Sequence, residues 1–412
     1  MWVKERLRWN SRREVTWQIG KLLFLGFMLA LPTPAQIPKS AGHVEGGGTN
    51  PGFTTPSAAD IDHAIALAAG YLERACGYDG RFTYMIDISS GQQSQTYNVV
   101  RHAGAIYALG MLQYPKPDKQ ALDAMTRAAF FLRRNYMGPG VRQNQLVVWS
   151  KPLPQSSTAD LGATGLGLVA LTSMNQAKRS SVPLPQLQAL GHFLLFLQKN
   201  DGSFVSKYRA ESGPVEDFQS LYYPGEAALG LIDLYETDHS IVWLNAAARA
   251  LSYLARSRAK LSSVPPDHWA LIATAKLLPY YVKSGSPASR EALVHHAIQI
   301  CQSMMKDQVR ASAGALDGAF DPAGQTAPTA TRMEGLLAAL EFLPEGRLRS
   351  QIQATVDHGI AFLLRTEISN GVYAGGMPAA YGPPGAFVRI DFVQHALCAW
   401  LRYRQEFLTP EF

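Results

Sequence analysis

The stretch "TYNVVRHAGAIYAL", Thr96–Leu109, decides the fold. Its second half is small and apolar on every side, the composition of a helix buried all round. Its first half sets Tyr97, Asn98, Arg101 and His102 directly ahead of that apolar run. Five later segments share this make-up: "LGATGLGLVAL" from Leu161, "PGEAALGLIDL" from Pro224, "HWALIATAKLL" from His268, "MEGLLAALEFL" from Met333 and "QHALCAWL" from Gln394. Segments of a second kind alternate with them, such as "DAMTRAAFFLRRNY" from Asp123 and "WLNAAARALSYLARSRA" from Trp243. These carry charge on one face and apolar residues on the other, as helices of an outer layer do.

Working outward from these segments, hydrophobic periodicity predicts twelve helices. They fall near 57–76, 98–113, 117–135, 158–175, 184–199, 223–238, 241–258, 267–283, 288–306, 327–343, 348–366 and 390–407. Ser57 and Ser157 read as N-caps, and Pro224 and Pro328 as first-turn prolines. Connections after inner helices are short, as at 114–116 and 238–240. Those before inner helices are long and share a pattern: "DGRFTYMID" from Asp79, "DGSFVSKY" from Asp201, "DGAFDP" from Asp317 and "NGVYAGG" from Asn370. Each has a turn-forming Asp/Asn-Gly, an aromatic one residue on, and short β-like text. Such a recurring module implies a repeat architecture. Six modules of outer helix, long aromatic loop, inner helix and short turn close most simply into an all-α (α/α)6 toroid.

This layout resembles the six-hairpin glycosidases and the terpenoid-cyclase-like toroids. The "QKNDGSF" stretch from Gln198 is similar to the Gln…Asp-Gly-aromatic repeats of the cyclase-like group. The resemblance spans residues 57–407 and is architectural. It implies one toroid domain, placed at 57–412, with a bowl at one end of the inner ring. The terpene-cyclase branch is set aside, because neither DxDD nor DDxxD occurs. The absence of a Cys-His-Gly run removes a lantibiotic-cyclase zinc site, and no Gly-rich phosphate loop is present.

The 412 residues are 47% hydrophobic and 17% charged, suited to a large core. The formal charge is +6, but residues 1–35 hold six Lys/Arg against two acids, so the rest is almost neutral. That excludes a nucleic-acid surface. The basic start leads into "LLFLGFMLAL" at Leu22–Leu31 and the small residues ending at Ala35, the form of a secretory signal at 1–35. Ser11-Arg12-Arg13 adds a partial twin-arginine pattern, and an uncleaved anchor is the alternative. Gly/Pro-rich residues 36–56 read as a linker. The expectation is an exported chain, periplasmic or secreted, touching membrane only through its N-terminus. Cys76, Cys301 and Cys398 read as small buried residues, with one disulfide an option, and no metal or cofactor motif appears.

If the hairpins alternate, all inner helices start at one end. Those starts carry Tyr97, Arg101 and His102; Asp160; Tyr222, Tyr223 and Glu226; Asp267, His268 and Trp269; Arg332 and Glu334; Arg389, Asp391 and His395. Capping explains Ser157, Thr158 and Asp267, but Arg101, Arg332 and Arg389 at helix starts oppose the dipole and call for an anion. Convergent polar groups in an aromatic wall predict a sugar-binding bowl. Glu226, Asp391, His395, His102 and Asp160 are the candidate catalytic groups, with an Asp391–His395 pair on one helix face. The others are candidate substrate contacts. The expected activity is hydrolysis of a polysaccharide or oligosaccharide by two carboxylates. Two alternatives stay open: a uronate lyase or C5-epimerase using Arg101, Arg332 or Arg389 against the substrate carboxylate, and a non-catalytic glycan-binding toroid. His295 and His296 on an outer helix read as surface.

Overall fold

The computed structural model describes residues 55–408 except 115, 156, 311–313 and 383–386. The expected leader, and the linker up to residue 54, lie outside the described residues. Twelve α-helices are present among them: α1 (Ala58–Ala75), α2 (Val99–Met111), α3 (Lys119–Asn135), α4 (Leu161–Ala177), α5 (Leu184–Leu197), α6 (Tyr223–Asp238), α7 (Ile241–Arg258), α8 (His268–Leu277), α9 (Arg290–Lys306), α10 (Thr326–Leu340), α11 (Arg347–Thr366) and α12 (Ile390–Tyr403). The even-numbered helices form an inner ring. Each packs on the next, and α12 closes on α2. The odd-numbered helices wrap this ring as six antiparallel hairpins, as the sequence predicts.

Local chemistry sets the helix ends. Ser57 and Asp60 form a reciprocal capping box at α1. Asp118, Asp267 and Ser289 accept backbone N–H bonds at α3, α8 and α9. Ser157 caps nothing. Thr158–Asp160 form a strand, and Asp160 occupies the N-cap position of α4 without bonding its backbone.

The small residues of the inner helices let backbones touch. A Cβ at Gly165 would lie 2.8 Å from the Ala227 backbone nitrogen, and one at Gly225 would lie 2.7 Å from that of Ala270. Glycine is therefore the side chain that α4, α6 and α8 require at their closest approach. Around them the core is continuous, with Trp400, Phe193 and Phe362 fully buried. Each such side chain contributes roughly 1.5–3 kcal/mol from burial.

The Asp-Gly-aromatic loops have a shared structural job. Gly80, Gly202 and Gly318 all hold a left-handed φ, of 85°, 93° and 91°. Each presses its Cα face on a backbone carbonyl of the next outer helix: Arg127 on α3, Arg249 on α7 and His358 on α11. Nearby donors reinforce the join. Gln198 Nε2 donates to the Ala246 carbonyl at 2.9 Å and Gln308 Nε2 to that of Thr355 at 2.8 Å. The Cys76 thiol donates to the Ala124 carbonyl at 3.4 Å. The loop aromatics Phe82, Tyr84, Trp149, Phe204, Tyr208 and Phe320 are buried between hairpins. They pack modules together and do not offer platforms to a sugar.

The regularity has limits. The α7–α8 connection is only Ala259–Asp267 and carries no Asp-Gly-aromatic motif, so the sixfold long loop is a correction. His295 is exposed, but His296 is buried and its imidazole is pushed down to about 3 by loss of solvent. The three cysteines are free and buried. No described helix is long and apolar enough to cross a membrane.

Among the described residues there are three small antiparallel sheets, two of which reach inner-helix starts. Strand β1 (Met85–Asp87) pairs with a strand at Phe387–Arg389, placing Met85 opposite Arg389. Another sheet places Lys207 opposite Asp160. These pairings carry residues from distant loops to the inner-helix starts.

Candidate functional site

At the seam between α2 and α12, Arg101 occupies the first turn of α2, where the helix dipole disfavours a cation. Its anion is Asp391, whose Oδ2 lies 2.9 Å from Arg101 Nε. Arg389 grips the same carboxylate from the other side, with Nε 2.6 Å from Oδ1 and Nη2 2.9 Å from Oδ2. Burial alone would raise the Asp391 pKa. The two guanidiniums override it and hold the carboxyl below its ordinary value. Arg101 Nη1 also donates to the Tyr84 hydroxyl at 2.5 Å.

Asp391 therefore does not pair with His395, which is a correction of the four-residue spacing argument. His395 Nδ1 instead meets Glu334 Oε1 at 2.5 Å across the α10–α12 contact. A carboxylate only accepts, so Nδ1 carries the hydrogen and Nε2 is left for other work. Beside it stands His268 from α8, with ring centroids 5.4 Å apart in an edge-to-face arrangement. His268 is 1% exposed, and neither of its ring nitrogens has a hydrogen-bond partner. Burial first, then His395 and Arg332, drives its pKa well down, so it is neutral. Tyr222 packs against it at 5.1 Å, and Trp269 against it at 5.0 Å. Trp269 and Tyr107 meet beneath at 6.0 Å.

Glu226 lies one turn below Tyr222 and is 4% exposed. Its Oε2 is buried without a partner and fills the space that a Cβ at Gly162 would take. Burial first, then the charges of Asp267 and Asp160, push its carboxyl up to about 8. It is thus mostly protonated at neutral pH. Asp160 accepts from Ser150 Oγ at 2.8 Å and stands 3.4 Å from Lys207 Nζ, an ion pair without hydrogen-bond geometry. Tyr223, beside Glu226, has its phenol pushed up by burial and by Asp160.

Four expected members face elsewhere. His102 is fully buried and turned toward α3, where Nε2 donates to the Ala128 carbonyl at 2.9 Å. Its Nδ1 accepts from the Tyr97 hydroxyl at 2.7 Å. Both nitrogens are engaged, and burial lowers the pKa to about 4. His102 and Tyr97 thus belong to an aromatic cluster with Phe82, Phe131 and Tyr136, not to the bowl. Asp267 is fully buried, caps α8 through Ala270 N and pairs with Arg258 at 3.0 Å, which accounts for it structurally. Arg332 reaches Asp307 at 3.3 Å and lies over Phe320, anchoring α10 to the preceding loop.

Sequence reasoning does not place Tyr84, Lys207 and Ser150 beside the candidate residues, though they contact Arg101 and Asp160. All three sit on or beside short strands, and pairing across the sheets delivers them. Only Tyr84 carried a signal, as a loop aromatic. No group of three or more His, Cys, Asp or Glu able to hold a metal ion occurs among the described residues.

No protein-family model matches the chain, and no curated protein matches it by sequence. Solved structures do match in shape. A sugar epimerase from a ruminal bacterium is 11% identical, with a TM-score of 0.64 over 84% of this chain and 98% of its own. The cellobiose 2-epimerase of Bacillus thermoamylovorans has the same identity, TM-score and coverage. A GH76 α-mannanase from Bacteroides thetaiotaomicron is 14% identical, with a TM-score of 0.57 over 84% of this chain and 96% of its own. These likenesses show the fold to be an α/α toroid.

Proposed function

We propose that the chain is a carbohydrate-active enzyme that moves a proton at a sugar carbon next to a carbonyl, as an epimerase or isomerase does. The observation that carries this is the His268–His395 pair at the centre of the bowl. Such a reaction needs a neutral base to take the proton and a second group to return it, both desolvated. His268 is neutral and has no competing partner. His395 is oriented through Nδ1 by Glu334, which leaves its Nε2 uncommitted on a ring 5.4 Å from that of His268. Epimerases among the structural neighbours support the class.

Glycoside hydrolysis by two carboxylates fits less well. Asp391 is held by two arginines, Asp160 by Ser150 and Lys207, Asp267 by Arg258 and Glu334 by His395. Glu226 alone is unengaged among the five, and hydrolysis needs a partner for it. One observation favours a non-catalytic glycan-binding toroid: the bowl is largely filled by its own side chains, with His268 almost fully covered. The basic and apolar leader at 1–35 adds the proposal that the chain acts outside the cytoplasm.

The test is to incubate the protein with a panel of aldoses and disaccharides in deuterium oxide. Proton magnetic resonance would then follow loss of the signal next to the carbonyl. Deuterium entry with formation of an epimer or ketose supports the proposal. New reducing ends without exchange would mean hydrolysis. Binding with neither outcome would mean a sugar-binding module.

A further inference from the structure

The α2–α12 seam has more positive charge than its structural work requires. Asp391 is a single buried carboxylate, and one guanidinium would neutralise it. It receives two, so the Arg101–Asp391–Arg389 triad carries a net charge of +1. The surplus faces solvent, because the Arg101 and Arg389 side chains are 35% and 20% exposed while Asp391 is 7% exposed.

The hydrogen-bond count points the same way. A guanidinium has five N–H donors. Arg101 uses Nε on Asp391 and one Nη1 hydrogen on Tyr84. Arg389 uses Nε and one Nη2 hydrogen, both on Asp391. Three donors on each remain, on groups fixed by a buried anchor and by the Phe392 ring 4.3 Å from the Arg389 guanidinium carbon. Asp391 thus acts as a bracket that holds two forks at the mouth of the bowl. His395 lies one turn along α12 from Asp391, which ties this mouth to the proton-transfer centre.

We propose that the sugar entering this bowl carries a carboxylate, received by Arg101 and Arg389. The substrate class is an acidic sugar, either a free hexuronic acid or a uronate unit of an oligosaccharide. The charge of the triad selects the group: a single negative charge balances it, whereas a phosphate monoester exceeds it. The substrate class rests on the proton-transfer reading of the same site, and the experiment separates the two.

The full chain is assayed in deuterium oxide with glucuronate, galacturonate and a uronate-containing disaccharide. Glucose, galactose and cellobiose are the neutral counterparts, and glucose 6-phosphate is the second anion. Calorimetry measures binding of each in parallel. The expected result is a kcat/KM at least about tenfold higher for an acidic sugar than for its neutral counterpart, the scale of one charge-assisted contact. The free acid and the disaccharide tell which form is used. In Arg389→Gln, KM for the acidic sugar rises about tenfold and the acidic-to-neutral preference falls. Should that variant not fold, Arg389→Lys keeps the charge, loses the fork and gives a smaller loss of preference.

Equal turnover of neutral and acidic sugars overturns the substrate class and leaves proton transfer standing. So does activity confined to the phosphate ester, or an equal rise of KM for both classes in Arg389→Gln. If no sugar exchanges, the proton-transfer reading falls, and binding decides the rest. Uronate binding weakened by Arg389→Gln keeps the carboxylate site, and absence of such binding removes it.

Discussion

Four histidines show how position in the packing, and not residue type, sets chemical character. His102 and Arg101 are neighbours in sequence, so they point about 100° apart around α2. One faces the outer layer and the other the mouth. Sequence lists both at a helix start and gives no means of telling them apart, so it puts His102 among the catalytic candidates. In the same way, His296, expected at the surface from its outer helix, is buried. The place of His395 at an inner-helix start was legible, but its partner was not, because Glu334 lies on another helix. The predicted outcome follows from the two central imidazoles. His268→Asn or His395→Asn should lower kcat about 10²–10⁴-fold, the usual weight of a general base or acid. Circular dichroism and thermal melting should stay close to the parent. A variant with full activity would remove that histidine from the reaction.

At the scale of elements, the existence and order of all twelve helices were legible, because inner helices are apolar all round and outer ones one-sided, but ends shift by up to six residues, as where the helix expected to run to 283 stops at Leu277. The loops were legible as text but not as function. A glycine following Asp looks like an ordinary turn, and the outer-helix carbonyl it meets lies about 40–50 residues away. Nothing local marks such a partner. Likewise, the absence of a long loop before α8 leaves no pattern to notice. The docking predicts that Gly318→Ala will be costly, since a methyl would strike the His358 carbonyl and the left-handed φ adds strain. A loss of about 2–4 kcal/mol is expected in urea unfolding. Gly371 also has a positive φ but meets nothing within 4 Å. Gly371→Ala should cost only about 1 kcal/mol from backbone strain. Equal effects at the two positions would argue against the docking role.

At the scale of the whole molecule, the toroid was predicted from repetition, and ring closure is what the α12–α2 contact supplies. The join between the last hairpin and the first differs chemically from the others. Glu367 follows α11 with the spacing that Gln198 has after α5, but a carboxylate cannot donate to a carbonyl as the Gln amide does. Its Oε1 is buried without a partner, and burial pushes the pKa up to about 8. The folded chain therefore keeps a proton that the unfolded chain releases above its ordinary value of 4.5. Stability from this group is fully present below that value and is lost as pH rises toward 8. Glu367→Gln should raise stability at pH 8 by about 1 kcal/mol and change it little at pH 5. Thermal melts at the two pH values check this, and an equal gain at both would exclude the titration. A closed ring has a further consequence. Arg404, just past α12, pairs with Asp62 on α1 at 3.4 Å, so the two extremities of the described chain are neighbours. The order in which translation delivers the hairpins is then one of several equivalent starting points. A circularly permuted chain, opened at the tight turn between Asp238 and Ile241 and joined across the old ends, should reach the same fold.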